Sequence, residues 1–267
     1  MAEFSLDVDA YLRRIGAERP KALTPQSLSG LVRAHLEQVP FESQELTEAH
    51  TEPSLTPEGL FEKIVCNRRG GYCFELNKLF YLLLQELGFD CRSVAVRCII
   101  GRPEPVALSH RGIVVTFGTE KWYCDVGFGG NGPKGILKLD TPEIQTLYCE
   151  RFRVLREDGQ YVIVYFDGDT PVRMLKFRDE AWLDADFAVL NGYYAVHPRS
   201  PFRKKRILYR CTPDGWIGFR EHTFLSFREG HLGTREIPTE TEIRRLIQTK
   251  FGLSIPQWET DGSENLP

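Results

Sequence analysis

The chain has 267 residues, 34 lysines and arginines against 37 aspartates and glutamates, and a formal net charge of −3. That length exceeds what one hydrophobic core usually fills, so two or three subdomains around a shared cleft are expected, and the charge balance argues against a nucleic-acid surface as the main purpose. Seven cysteines, an odd number with no Cys-x-x-Cys pair, argue for reduced thiols in a reducing compartment rather than a disulfide framework or a zinc site.

The N-terminal stretch Met1 to Asp7 is acidic and lacks an apolar signal core, and no apolar run approaches the ~20 residues of a membrane span. A soluble cytoplasmic protein is expected. The first ninety residues read as helices. Asp7 to Ile15 stops at Gly16. Thr24-Pro25 opens a second helix with Leu28, Leu31, Val32 and Leu36 on one face, ended by Pro40. Thr56-Pro57 opens a third with Leu60, Phe61, Ile64 and Val65 apolar, both starts pairing an N-cap hydroxyl with proline at the first position. A fourth begins near Cys73, with Leu76, Leu79, Phe80, Leu83, Leu84 and Leu87 at three-and-four spacing and Gly88 as its stop.

From Cys91 the period changes to two, through Val94, Val96, Cys98 and Ile100. A hairpin follows: Ile113 to Phe117 and Lys121 to Cys124 are β-branched and aromatic, with Gly118-Thr119-Glu120 as the turn. Further strands lie around Arg151 to Leu155 and Gln160 to Phe166, joined at Asp158-Gly159. A last hairpin turns at Pro213-Asp214-Gly215. Thr239 to Glu242 is a capping box for a helix carrying Ile243, Leu246, Ile247 and Phe251, and the polar tail from Gln257 reads as loose. The chain divides into residues 1–90, 91–190 and 191–267.

Arg69-Gly70-Gly71-Tyr72-Cys73 sets a cysteine on a glycine-rich turn at a helix start. Unpaired N–H groups and the positive dipole end favour the thiolate there, the form that attacks acyl carbons, and pairing with a base would lower its pKa. A nucleophilic cysteine needs a base and an orienter. If the hairpin strands pair about Thr119, His110 falls about three positions from directly opposite Asp125, a gap that a bulge or a diagonal contact closes. Taken singly, Cys73 could be a buried hydrophobe, His110 a surface histidine and Asp125 a turn former. Their joint placement argues for a triad across the boundary between helices and strands. His35, His50, His197, His222 and His231 have no companions at metal-ligand spacing. Gly127, Gly129, Gly130 and Gly132 either admit a ligand close to the backbone or simply make turns. The run Arg203-Lys204-Lys205-Arg206 reads as a solvated face or as a phosphate contact.

Three segments, Arg69-Gly70-Gly71-Tyr72-Cys73-Phe74-Glu75-Leu76-Asn77, Ser109-His110-Arg111 and Trp122-Tyr123-Cys124-Asp125-Val126-Gly127-Phe128-Gly129, resemble the signature segments of the arylamine N-acetyltransferases in order and spacing. Val39-Pro40-Phe41-Glu42 resembles that family's Pro-Phe-Glu-Asn segment, with Ser43 in place of the usual asparagine. The resemblance implies an α+β fold with an N-terminal helical bundle, a central β-barrel and a C-terminal α/β lid, built on a cysteine-protease-like Cys-His-Asp core. It implies acetyl transfer from acetyl-CoA, through an acetyl-cysteine, to an aromatic amine or hydrazine, with Cys73, His110 and Asp125 catalytic and no metal. It implies that Phe41 and Phe128 line the acceptor pocket, that Gly129, Gly130 and Thr212 approach CoA, and that Glu42 and Arg69 pair under the active-site loop. The partners expected are small aromatic amines, hydrazines and CoA, with neither nucleic acid nor membrane, for a monomer or small homo-oligomer. A thiol hydrolase or amide synthase using the same triad, and a catalytically silent binding module, are the alternatives.

Overall fold

The computed structural model describes residues 4–148 and 150–253. Its first layer is helical. Helix α1 (Val8–Ile15) starts where the Asp7 carboxylate accepts the Ala10 N–H at 2.8 Å and stops at Gly16, whose φ of 68° suits glycine. In α2 (Pro25–Gln38) the hydroxyls of Thr24 and Ser27 accept each other's backbone N–H, a reciprocal box. Helix α3 (Pro57–Phe61) runs on as a π-helical turn through residues 62–66. Helix α4 (Cys73–Leu87) ends at Gly88 with φ 92°, and its Leu76, Leu79, Phe80, Leu83 and Leu84 are all buried. The three-and-four pattern marks the face that holds this layer together.

The second layer is an eight-stranded antiparallel sheet of β2 (Asp90–Cys98), β3 (His110–Phe117), β4 (Glu120–Cys124), β5 (Ile136–Lys138), β6 (Gln145–Leu147), β7 (Glu150–Glu157), β8 (Gln160–Asp167) and β9 (Thr170–Phe177). Its order is β5-β4-β3-β2-β9-β8-β7-β6. The two edges nearly meet. The Gln145 carboxamide accepts the Lys138 N–H at 2.8 Å and donates to the Lys138 carbonyl at 2.9 Å, so a side chain bridges the seam of a nearly closed barrel. Val94, Val96, Val114, Tyr123, Leu137, Phe152, Ile163 and Leu175 form its core. Helix α4 packs on β2 and β3.

Helix α5 (Asp184–Val196) returns to the helical layer, with Phe187 and Tyr194 against Phe74. Next come β10 (Ile207–Thr212), β11 (Gly215–Arg220), β12 (Thr223–Arg228), β13 (His231–Glu236) and α6 (Glu240–Leu246), the last continued by a π-helical turn to Phe251. Leu208, Ile217, Phe219, Ile243, Ile247 and Phe251 are the core of this lid. Its sheet has the order β1-β10-β11-β12-β13, where β1 is the two-residue strand Phe41–Glu42 donated by the N-terminal layer.

The fold class matches the expectation, and the differences have local causes. The hairpin at residues 213–215 is not the last, because β12 and β13 follow. They escape a pattern search because β13 is exposed at every position and β12 has no buried one, leaving no alternation to read. Helix α5 was hidden for the opposite reason. It is apolar nearly all round, with Val189, Tyr193 and Val196 exposed, so it has no clean stripe. The alternation through Ile100 overshoots β2, which ends at Cys98 where the Ile99 and Ile100 N–H groups both turn to the Met174 carbonyl. The tail from Gln257 lies outside the described residues.

Candidate active site

Cys73 is the first residue of α4 and 2% exposed. The two glycines before it have a steric reason. A Cβ at Gly70 would come within 2.2 Å of the Pro40 carbonyl oxygen, and the Gly71 carbonyl accepts the Glu42 N–H at 2.9 Å. The turn therefore lies flat against β1. Beneath it Arg69 grips Glu42 in a fork, Nε to Oε1 at 2.8 Å and Nη2 to Oε2 at 3.1 Å, the pair the resemblance implied. Ser43 fills its departure from the family pattern by accepting the Ile207 N–H at 3.1 Å, which ties β1 to the start of β10.

The hairpin delivers the other two groups more closely than expected. Phe117 pairs with Glu120, so the loop is only Gly118-Thr119, with Gly118 at φ 60° as a two-residue turn requires. The shift brings Gly112 opposite Asp125 and leaves His110 two positions away. His110 Nε2 sits 2.5 Å from Asp125 Oδ2.

Asp125 is 1% exposed and fully supplied with donors. Its Oδ2 also accepts the Tyr123 hydroxyl at 2.8 Å, while Oδ1 accepts Asn77 Nδ2 at 2.8 Å and the Gly127 N–H at 2.9 Å. Burial pushes this carboxyl up, but the His110 charge and the bonds from His110, Asn77 and Gly127 outweigh it and hold the group below its ordinary range. Asn77 in turn donates to the Arg111 carbonyl at 2.6 Å and accepts the Val126 N–H at 2.9 Å. One amide thus pins the helix of the cysteine to both strands of the hairpin. Gly127 completes the fit, since a Cβ there would lie 2.8 Å from Cys73 Cα and 2.9 Å from Asn77 Nδ2.

Cys73 Sγ lies 3.9 Å from the Ser109 carbonyl, the residue before His110. Its thiol departs from the expectation. Burial pushes it well above the ordinary value, Cys98 and Asp125 add to that, and the backbone N–H groups of Arg111 and Phe74 only partly offset it. The N–H groups at the helix start do act in the expected direction, but desolvation is the larger effect in this closed site.

Phe41, Phe128, Gly129 and Gly130 line one cleft together with Asp125, Tyr209 and Trp216, enclosing only about 20 Å³. The Phe128 ring stands edge-on to His110 with centroids 5.6 Å apart. Gly129 and Gly130 have φ of 75° and 49°, and a Cβ at Gly129 would be 2.8 Å from the Tyr209 ring. Their identity thus follows from the backbone and from Tyr209 without any ligand. Thr212 is not in the wall; it follows Cys211, which is, and its hydroxyl donates to Asp214 at 2.9 Å. Of the basic run, Arg203 donates to the Val196 carbonyl, Lys205 pairs with Glu221 at 3.3 Å, and Arg206 pairs with Glu48 at 2.8 Å and Glu240 at 3.2 Å.

Sequence pattern alone does not mark Asn77, Tyr123 and Gly127 for these roles. The signals were present: Asn77 is four residues from Cys73 and so on the same helix face, and Tyr123 is two from Asp125 along a strand. Among the described residues no His, Cys, Asp or Glu cluster could hold a metal, and no helix is long and apolar enough to cross a membrane.

A cysteine at a helix start, with Asn77 of the same helix bonded to a buried aspartate that holds a histidine on an antiparallel barrel, is the residue set that thiol-dependent acyl transfer uses. The comparisons with known proteins make the class specific. The family model described as N-acetyltransferase matches residues 24–259. The arylamine N-acetyltransferase of Escherichia coli is 30% identical over 248 residues, covering 92% of this chain and 88% of that protein. The structure of the Salmonella typhimurium arylamine N-acetyltransferase superposes with a TM-score of 0.89 at 28% identity, covering 97% and 95% of the two chains. That of the Mycobacterium marinum arylamine N-acetyltransferase in complex with CoA has a TM-score of 0.88 at 27% identity, with 92% of each covered. The chain belongs to the arylamine N-acetyltransferase family.

Proposed function

We propose that this protein transfers the acetyl group of acetyl-CoA to aromatic amines and hydrazines in two half-reactions, with Cys73 as nucleophile, His110 as base and Asp125 as orienter. The observation that carries the reading is the buried chain from Asp125 to His110, braced by Asn77 on the helix that begins with Cys73. With Nε2 donating to Asp125, Nδ1 is the nitrogen left to accept a proton.

The closed site disfavours a bare thiolate. Charge therefore develops as the thiol proton passes to His110, whose imidazolium is stabilised by Asp125. The sulfur adds to the thioester carbonyl, the backbone N–H of Cys73 helps hold the oxyanion, and CoA leaves as its thiol on taking the proton from His110. An amine then attacks the acetyl-cysteine. His110 accepts the amine proton and returns it to the departing Cys73 sulfur, which regenerates the thiol and leaves an amide as product. Phe41 and Phe128 supply aromatic faces for the acceptor, and Gly129, Gly130 and Thr212 form part of the CoA path. The same reading places the enzyme in the cytoplasm as a monomer or small homo-oligomer, without nucleic-acid or membrane partners, and divides it into functional units at 1–90, 91–190 and 191–267.

The test is release of free thiol from acetyl-CoA with and without p-anisidine. Release that depends on the amine is expected. Release without it would mean a hydrolase, and no release would leave a binding module.

A further inference from the structure

Glu75 lies two residues past Cys73 and is 1% exposed, an acidic side chain inside an apolar layer. Its Oε2 accepts the Tyr72 N–H at 3.1 Å, and its Oε1 stands 2.7 Å from Lys63 Nζ. This is the glutamate arm of a capping box without the usual hydroxyl arm, because Tyr72 occupies the N-cap and sends its own hydroxyl to Asn191. The carboxylate also underlies the glycine turn, since a Cβ at Gly71 would meet Oε2 at 3.0 Å.

We propose that Glu75, paired with Lys63, is a positioning residue for Cys73: its carboxylate fixes the Tyr72 amide and so the first turn of the helix on which the sulfur sits. The inference rests on the reading of Cys73 as nucleophile.

The surrounding charges make the device sensitive to pH. Lys63 and Arg69 face Glu75 as cations and Glu45 as an anion, Glu42 draws on the same two cations, and the Tyr72 phenol lies beside them. Three carboxylates share two cations, so one proton relieves the cluster. Burial pushes Glu75 up, Glu45 adds to this, and Lys63 and the Tyr72 amide only partly offset it, leaving Glu75 at about 7. As pH falls through that value the carboxylate takes a proton, the charge-assisted bond to the Tyr72 amide weakens, and Lys63 loses a partner.

The test is the rate of Cys73 alkylation by iodoacetamide from pH 5.5 to 9, assigned by peptide mapping, in wild type, Glu75→Gln and Lys63→Met. The wild-type profile should carry an added inflection near pH 7. Glu75→Gln keeps an acceptor for Tyr72 without an ionisation, so it should lose that inflection and stay within about threefold of wild type at pH 8. Lys63→Met leaves a buried carboxylate without its counter-ion and should move the inflection to higher pH. If Lys63→Met does not fold, the comparison of wild type with Glu75→Gln still decides. Profiles that superimpose after scaling would overturn the proposal. Absence of amine-dependent thiol release from acetyl-CoA would overturn the functional reading and the proposal with it, whereas superimposed Cys73 profiles would overturn the proposal alone.

Discussion

Two hairpins of this molecule share a topology and differ in everything else. In β3 and β4 eight of the thirteen residues are buried, and the pair delivers His110 and Asp125 to one end. In β12 and β13 no residue is buried and the pair forms the outer edge of the lid. Tight turns and antiparallel ladders fix register in both. Only the first is held from two sides, by the barrel core and by α4 with its Asn77, and the proposed triad needs that over-determination because its geometry must survive without solvent to stabilise alternatives.

The comparison breaks most easily at the triad itself. Cys73→Ser is expected to keep its fold and abolish acetyl transfer, since a hydroxyl gives up its proton to His110 far less readily than a thiol and His110 has no other acyl acceptor to activate. His110→Ala should behave alike. Asp125→Asn should lose roughly 10²- to 10⁴-fold in kcat/KM with its near-ultraviolet circular dichroism intact, because an amide no longer specifies the imidazole tautomer. Normal turnover by Asp125→Asn would detach the hairpin from the chemistry.

Gly127→Ala sharpens the point without touching a reacting group. The added methyl would fall 2.8 Å from Cys73 Cα, against backbone that cannot swing away, and 2.9 Å from the Asn77 amide. The loop must lift, so activity should drop by roughly 10²-fold while thermal stability changes less than for a large core deletion. Steady-state kinetics beside a melting curve decides. A variant that lost fold and activity in parallel would make Gly127 a packing glycine only.

These residues also show what was legible beforehand. Cys73, His110 and Asp125 stand out as candidates because their side chains belong to a small set of types that perform acyl transfer, and because the hairpin's own turn residues set its register. Asn77 and Gly127 could not be ranked so easily. An asparagine in a helix and a glycine after an aspartate each fit many roles, and their importance comes from atoms 34 to 54 residues away in the chain. The β12–β13 hairpin was invisible because it buries neither face, so its residues carry no period. The depressed thiol expected at Cys73 failed for a similar reason: the helix start is local and readable, whereas desolvation is set by the whole closed cleft.

The helical layer offers a pH-dependent contrast. His35 is fully buried against Tyr11, whose hydroxyl is 3.0 Å from its Nδ1, and burial pushes the imidazole down to about 3. The folded state holds His35 neutral while the unfolded chain protonates it near ~6.5. Its contribution is therefore intact above that value and is lost progressively as pH falls from about 6.5 towards 3, by up to about 1.4 kcal/mol per pH unit. Urea midpoints between pH 7 and 4 should fall less steeply in His35→Gln than in wild type, even if that variant is weaker at pH 7. Parallel slopes would place acid sensitivity elsewhere, with the buried ion pairs as the next candidates.

The smallest effect tests the comparison from its quiet side. Leu232 on β13 is 58% exposed and sits across the ladder from Phe227, whereas Val114 on β3 is 0% exposed and faces the barrel core. Removing two methyls at Val114→Ala deletes buried surface and leaves a cavity beside Tyr123, so a loss of roughly 1–3 kcal/mol is expected. Leu232→Ser exchanges a solvated side chain for a smaller one. It should change stability by no more than ~0.5 kcal/mol, the range of ordinary surface positions. Both variants should keep Asp125 and His110 in place, so acetyl transfer at 25 °C ought to survive in each, and chemical denaturation then separates them. If Leu232→Ser proved as costly as Val114→Ala, the outer hairpin would be carrying load through Phe227, which stacks on the cleft residue Trp216 with ring centroids 5.5 Å apart, and the contrast between a braced hairpin and a free one would fail at that contact.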